Sequence, residues 1–413
     1  GRFNCDQNQL TVGKMNTQVG QSSFAGLSAK IKWDKAASVT VSTGESVVHL
    51  DEVYAWSKSH DRFKQNVKDV PALNGNLAFT NLKFEGPIGS KSNHEMNLSG
   101  AIKKWHIHSA TFPTDIELNG GHLLWRRTRI DLQETDARFG TSTIGRLTLG
   151  SQRGKIPLFE LNAGSADIQI AELYPWLISF ETLAKMFKGY KATQGKLMLA
   201  DLAFKGPVGA SKSWQFRLAG DITAMDLVSD SFTEPVFIKT AHFIAKDTPA
   251  TAGVNGHIDL SHVRIGWEDS LINIQGGATF SEGALALEMQ LTADRLNWKQ
   301  IDQIASTEKA TAAENQLKLR GGLIVELENF TYGSFIWRPV HAAINFDRED
   351  TRIVVRTADL CGIQFPGIFK VSGDTFELYF NPVARELDLD SSLTCLFDKQ
   401  NFPFKNRLRC NYR

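Results

Sequence analysis

One stretch of this chain is written twice, and a duplication restricts the fold more than any composition can. Gly75-Asn-Leu77-Ala-Phe79-Thr-Asn81-Leu82-Lys-Phe84-Glu-Gly86-Pro87-Ile88-Gly89 returns as Gly195-Lys-Leu197-Met-Leu199-Ala-Asp201-Leu202-Ala-Phe204-Lys-Gly206-Pro207-Val208-Gly209, 120 residues later. At the same offset Glu52-Val-Tyr54-Ala-Trp56 becomes Glu172-Leu-Tyr174-Pro-Trp176, and Gly20-Gln-Ser22 becomes Gly140-Thr-Ser142. Residues 20–102 and 140–222 share 21 identities over 83 ungapped positions. A weaker third copy follows, in which Asp294-Arg-Leu296-Asn-Trp298 stands for the Glu-x-Tyr-x-Trp element. Leu323-Ile-Val325-Glu-Leu327 and Asn329-Phe330 stand for the Leu-x-Phe hairpin. The chain reads as one array with units at 1–70 (partial), 71–190, 191–313 and 314–413.

Within each unit most segments alternate apolar and polar residues. Ile116-Glu-Leu118, Val263-Arg-Ile265, Leu285-Ala-Leu287-Glu-Met289-Gln-Leu291 and Phe376-Glu-Leu378-Tyr-Phe380 show the pattern, and Leu387-Asp-Leu389 continues it. Period two describes strands with one apolar and one wet face. The Gly-Pro-Ile/Val-Gly, Asn119-Gly120-Gly121 and Ser372-Gly373-Asp374 stretches supply turns. Helical spacing occurs once per unit. Asp51 to Val70 is predicted as a helix with Asp51 as N-cap and Val53, Trp56, Phe63 and Val67 on its apolar stripe. Ala171 to Tyr190 is the second, with Trp176, Phe180, Leu183 and Phe187, and Asp294 to Ser306 is the third.

Composition enters mainly by exclusion. The 413 residues carry 46 basic and 45 acidic side chains, and this near-zero balance speaks against a nucleic-acid or anionic-membrane binder. A hydrophobic fraction of 42% rules out disorder as the general state. No apolar run approaches a membrane span; the richest, Tyr174 to Phe180, falls far short. Beginning at Gly1 without Met and stopping on Asn411-Tyr412-Arg413 in mid-pattern, the chain reads as a piece of a longer protein.

Motifs for chemistry are largely missing, and no catalytic residue, cofactor or metal is expected. Gly150-Ser-Gln-Arg-Gly154-Lys155 has one residue too few between its glycines for a phosphate loop and lacks the following Ser/Thr, so it reads as a surface turn. His106-Ile-His108 puts two imidazoles on one strand face, but no acid or cysteine at suitable spacing completes a metal set. Trp56, Trp176 and Trp298 recur with the helices. They are either packing anchors between helix and sheet or part of a wall that touches ligand. The four cysteines form no C-x-x-C pair. Cys361 and Cys395 lie on strand-like patterns, and are either a staple between adjacent strands in an oxidising compartment or two buried thiols.

A repeated β meander with an Asp/Glu-x-Leu/Tyr-x-Trp helix start and a Leu-x-Phe-x-Gly-Pro hairpin closes on Ala358-Asp359-Leu360-Cys361-Gly362-Ile363 and then Leu393-Thr394-Cys395. Together these resemble the AsmA-like superfamily, in particular its AsmA-like C-terminal region and the YhdP-type, DUF3971-bearing proteins, with TamB more distant. The family's N-terminal membrane helix has no counterpart in this chain. The resemblance implies an inner-membrane-anchored periplasmic protein of a Gram-negative bacterium. It implies a long twisted sheet curled into an open apolar groove, and phospholipid movement between inner and outer membranes. Membrane proteins at either end would be partners.

The expected fold is therefore mostly β: an elongated antiparallel sheet forming a groove, built from repeats of about 120 residues with one short amphipathic helix each. Leu77, Phe79, Leu197, Leu199, Leu323 and Val325 should line that groove on one face. Trp56, Trp176, Phe180 and Phe187 should pack a helix against it. The expected function is binding and transport of phospholipid or another diacyl lipid, without enzymatic chemistry. The alternative is a periplasmic structural or assembly scaffold whose alternating strands form an ordinary closed core.

Overall fold

A computed structural model describes residues 1–33, 37–58, 70–88, 95–109, 113–179, 184, 187, 189–208, 214–229, 232–247, 256–281, 284–303, 318–347, 350–372 and 375–397. The protein is mostly β, with 26 strands among these residues. The helices are short: α1 (Leu50–Lys58), α2 (Ile170–Leu177) and α3 (Leu389–Phe397), with a further helical segment over 298–303. The chain divides into two compact units. The first is Gly1–Phe187 with Gln194–Asp221 and Ala245–Asp247; the second is Lys188–Thr193, Ile222–Ile244 and Thr248–Arg413.

The first unit is an antiparallel meander in sequence order. Long single strands, β3 (Ser22–Lys32), β6 (Ala72–Pro87), β7 (Glu95–His108), β10 (Arg129–Phe139), β11 (Ser142–Gln152) and β14 (Tyr190–Pro207), are separated by rows made of two short strands. These are β4 (Ser38–Thr43) with β5 (Ser46–His49), β8 (Ile116–Asn119) with β9 (His122–Arg126), and β12 (Leu158–Ala163) with β13 (Ser165–Gln169). Each broken row pairs with one long strand on either side. Turns therefore alternate between two rims. One carries α1, α2 and the tight turns at Gly20 and Gly140; the other carries the turns after β3, β6, β9, β11 and β14.

A bulge between Phe79 and Asn81 on β6 shifts the alternation by one residue. Without it Leu82 and Phe84 would turn to the wet face; with it they stay on the side of Leu77 and Phe79. The repeated motif gives β14 the same shift in phase, with Leu199 and Leu202 buried and Leu197 and Phe204 half-buried.

The second unit repeats the hairpin theme in β17 (Gly256–Trp267), β18 (Ser270–Ser281) and β19 (Ala284–Asn297). Next, β20 (Lys318–Tyr332) pairs with β19 in parallel, in place of the expected antiparallel course. Antiparallel order resumes through β22 (Val340–Asp347), β23 (Asp350–Leu360), β25 (Gly367–Ser372) and β26 (Thr375–Phe380).

The helices depart from the sequence reading. Asp51 is not an N-cap: α1 starts at Leu50, and Asp51 and Glu52 sit in its first turn, where acids complement the helix dipole. Residues 59–69, with Phe63 and Val67, lie outside the described residues, as do Phe180 and Leu183. Asp294–Asn297 extends β19, and the helical segment begins only at 298. Paired against β20, with Arg295 opposite Asn329, these residues satisfy their backbone groups in the ladder instead. Leu389 and Cys395 likewise fall in α3 and not on a strand.

Each helix is latched to the turn of the hairpin before it. Glu172 Oε1 accepts bonds from Thr141 N (2.8 Å) and Thr141 Oγ1 (2.9 Å), and Oε2 from Ser142 N (3.0 Å) and Ser142 Oγ (2.5 Å). Glu52 does the same with Gln21 N, Ser22 N and Ser22 Oγ. Both turns need glycine: Gly20 and Gly140 have φ of +60° and +59°. A Cβ there would also meet the glutamate carboxylate at 2.2 and 2.3 Å. In the second unit the place is taken by Gln300, whose amide bonds Ser270 Oγ and the Trp267 carbonyl. Asp294, the expected counterpart of the glutamates, instead accepts from Leu271 N at 2.8 Å.

Burial opposes ionisation of Glu172, but the Ser142 and Thr141 donors outweigh it and hold the carboxyl below the ordinary carboxylate range. A lowered folded-state value means that the stabilisation is complete above the ordinary pKa of 4.5 and disappears as pH falls through the folded value. Glu172→Gln is accordingly expected to flatten the loss of stability below that pH. Urea midpoints measured from neutral pH to about pH 3 check this. Parallel curves for parent and variant would refute it.

Candidate functional site

The apolar face of each unit can be followed strand by strand through the pairing register. In the first unit one row runs Phe79, Gly100, Leu123, Leu132, Leu149, Leu161 and Phe204. Beside it runs a second row, Trp105, Leu118, Ala137, Ile144, Ala166 and Leu199. Leu77 stands between Val48 and Ile102, and Leu197 is opposite Ile168. The lining residues expected here thus share one face.

In the second unit Val325 sits in the row Val263, Ile274, Leu291, Val325, Ala342, Val355, Gly367 and Phe380. Leu323 sits in the row Met289, Leu323, Ile344, Ile353, Phe369 and Leu378.

Coverage of these rows is uneven. Near the helices the face is closed: Leu77, Phe79 and Leu199 are buried, as is the cluster of Val236, Trp267, Ile272, Ala293, Leu296 and Leu327. Away from them it opens. Phe84, Leu161 and Phe204 are half-buried in the first unit, Leu323 and Val325 in the second. On β26, Phe376, Leu378 and Phe380 are exposed. The opposite face carries charge, as where Arg129 joins Asp131 and Glu160, and Glu160 joins Lys205, across β10, β12 and β14.

The helix residues behave differently from expectation. Trp56 is 67% exposed, and α1 buries Tyr54 and Ser57 instead. The Glu52 latch fixes the rotation of the helix and turns the Val53–Trp56 stripe outward, about one residue step from where it was expected. Tyr54 donates to the Val70 carbonyl, and Lys58 Nζ lies 4.5 Å from its ring centre. Trp176 is half-buried on α2, which packs on β13, and Phe187 meets Tyr174 edge-on at 6.3 Å. Phe180 lies outside the described residues.

Cys361 and Cys395 are joined, with Cα atoms 5.8 Å apart. The bond ties the turn after β23 to α3, whereas two adjacent strands were expected. Ser392 Oγ reinforces it by donating to the Cys361 carbonyl at 2.8 Å. A cleft of about 290 Å³ next to the bridge is lined by Phe335, Ile336, Arg338, Asp359 and Leu360.

The histidine pair has acids after all. Glu117 lies 3.5 Å from His106 Nδ1 and Asp115 lies 2.5 Å from His108 Nδ1, because β8 pairs with the end of β7. They form two separate pairs, and among the described residues no three His, Cys, Asp or Glu side chains converge as a metal site. Sequence reasoning missed Trp267 and Gln300, which close the apolar face of the second unit. Their signal was weak, since the matching turn positions hold Val19 and Phe139.

No helix among the described residues is long and apolar enough to cross a membrane. Comparison with family models, curated proteins and solved structures returned no match to this chain.

Proposed function

We propose that this protein binds phospholipid, or another diacyl lipid, along its apolar sheet face and passes it between the inner and outer membranes from the periplasm. The observation that carries the reading is the state of the apolar rows. They run without a polar break from strand to strand, yet most of their members away from the helices are only half-buried. In a closed two-sheet core such side chains are covered by the facing sheet, which is why the scaffold alternative fits less well. Apolar surface left open in this way has to meet an apolar ligand or invite aggregation. Acyl chains suit it, because a row of Leu, Ile and Phe has no polar group to specify a headgroup. The Cys361–Cys395 bridge is compatible with an oxidising compartment. Anchoring to the inner membrane belongs to the same proposal, and so does the absence of bond-making chemistry.

Mass spectrometry of organic extracts of the purified protein tests the reading. Diacyl lipid is expected to co-purify, and photo-crosslinks from Leu161 or Val325 should reach a labelled phospholipid. Lipid-free protein, or crosslinks confined to wet-face positions such as Lys205, would overturn it.

A further inference from the structure

The rim of the first unit that lies away from the helices carries two features together. Four turns or turn flanks present large apolar side chains to solvent: Trp33, Ile88, Ile156 and Val208 are 43–66% exposed. They are not isolated. Backbone hydrogen bonds join successive turns along the rim, from Ile88 N to the Ala37 carbonyl (2.7 Å), Arg127 N to Met96 (2.8 Å), Arg153 N to Thr128 (2.7 Å) and Val208 N to Pro157 (2.8 Å). Trp33 is held as well, its indole N–H donating to the Gln7 carbonyl at 2.7 Å. Trp33, Ile88 and Val208 are therefore held in place by these bonds, and Ile156 precedes Pro157, whose carbonyl takes the Val208 bond.

The second feature is charge. Around this rim Lys83 pairs with Glu85, Arg127 with Glu95, and Lys205 and Arg129 with Glu160. These pairs leave Arg126, Arg153 and Lys155, all exposed and without an ion-pair partner among the described residues, while the remaining acids near the rim, Asp6 and Asp247, are held by backbone N–H groups of Asn8 and Gln9 and of Phe216. A net charge of +1 for the whole chain conceals this local excess. The opposite rim has acids in the first turns of its helices, Asp51, Glu52 and Glu172.

We propose that this rim docks on the surface of an anionic phospholipid bilayer. Ile88, Ile156, Val208 and Trp33 enter the headgroup region, while Arg126, Arg153 and Lys155 face the lipid phosphates. Apolar tips flanked by unpaired cations satisfy both terms of interfacial binding, whereas a soluble protein partner would have to supply its own unpaired acids. The docking does not depend on the apolar face carrying lipid.

Flotation of the full chain with phosphatidylglycerol-containing vesicles, against pure phosphatidylcholine vesicles, tests it. The parent should float with the anionic vesicles and dissociate as salt rises. Combined Ile88→Ser, Ile156→Ser and Val208→Ser should lower partitioning about tenfold or more. Arg153→Ser with Lys155→Ser should cost about tenfold on anionic vesicles and abolish the preference for them. Trp56→Ser, on the other rim, should bind like the parent. Unchanged far-ultraviolet dichroism and melting verify that each variant is folded, since all these positions are exposed. A parent that floats with neither vesicle, rim variants that bind as the parent does, or an equal loss in Trp56→Ser would each overturn the proposal. Lipid extraction from the same preparations separates this result from the lipid-carrying reading.

Discussion

Leu199→Asp is expected to lower stability by about 3 kcal/mol or more and to strip the protein of bound lipid, while Met198→Asp, one residue away, leaves both nearly unchanged. Leu199 is 6% exposed and Met198 is 40% exposed, on opposite faces of β14. The carboxylate at 199 would face Ala166 across the ladder, with Ile144 next in the row, and neither offers a donor or a cation. At 198 it would reach solvent beside Asp167, whose carboxylate is held by Lys196 at 2.7 Å. Two substitutions with the same chemistry thus separate the faces. Urea unfolding and lipid extraction of both variants provide the measurement, and equal effects at the two positions would mean that the apolar face has been wrongly assigned.

Trp267→Ala is expected to cost about 3–5 kcal/mol, the largest single loss in the second unit. The indole is 3% exposed, packed on Val236, Ile272, Ala293, Leu296 and Leu327, with the Phe232 ring at 5.3 Å. Its Nε1–H is buried without a hydrogen-bond partner among the described residues. Trp267→Phe removes that unpaired donor together with part of the ring, so its cost should be much smaller, about 1–2 kcal/mol. Hydrogen exchange in β17 and β18 reports on this unit alone, which matters because two units need not unfold together. A Phe variant as damaged as the Ala variant would show that the N–H is in fact satisfied.

The strands were readable from the sequence because period two survives even where the ladder is irregular. Leu285 to Leu291 and Phe376 to Phe380 fall where alternation puts them. The parallel junction of β19 with β20 was not readable, since parallel and antiparallel partners of one apolar face have the same alternation. Helix limits failed for a related reason. Asp294 to Asn297 has capping residues, but its backbone groups find partners in β20, and long-range pairing outweighs local preference. Leu393-Thr394-Cys395-Leu396 reads as a strand pattern, although Leu389, Leu393 and Leu396 also fit the helical spacing that the structure adopts. The shared face of Leu77 with Phe79 and of Leu197 with Leu199 was legible in the alternation; that it lines a groove is a proposal. How much of that face is covered was not legible, because it depends on Glu52 rotating α1 and on Gln300 anchoring the segment after β19.

The latches have a consequence for the order in which the chain acquires its structure. Ser22 to Glu52, Ser142 to Glu172 and Ser270 to Gln300 are each separated by 30 residues, and Cys361 to Ser392 by 31. Every fastener therefore closes a short loop of constant length, however far along the chain it lies. Closing a loop of this size has a modest entropic cost that does not grow with the total number of residues. Each hairpin and its helix can lock as soon as they leave the ribosome or a translocation pore, before the following hairpin exists. A chain assembled in this way has, besides the edge at β1 and β2 where it starts, only one advancing strand edge, one hairpin wide at any moment.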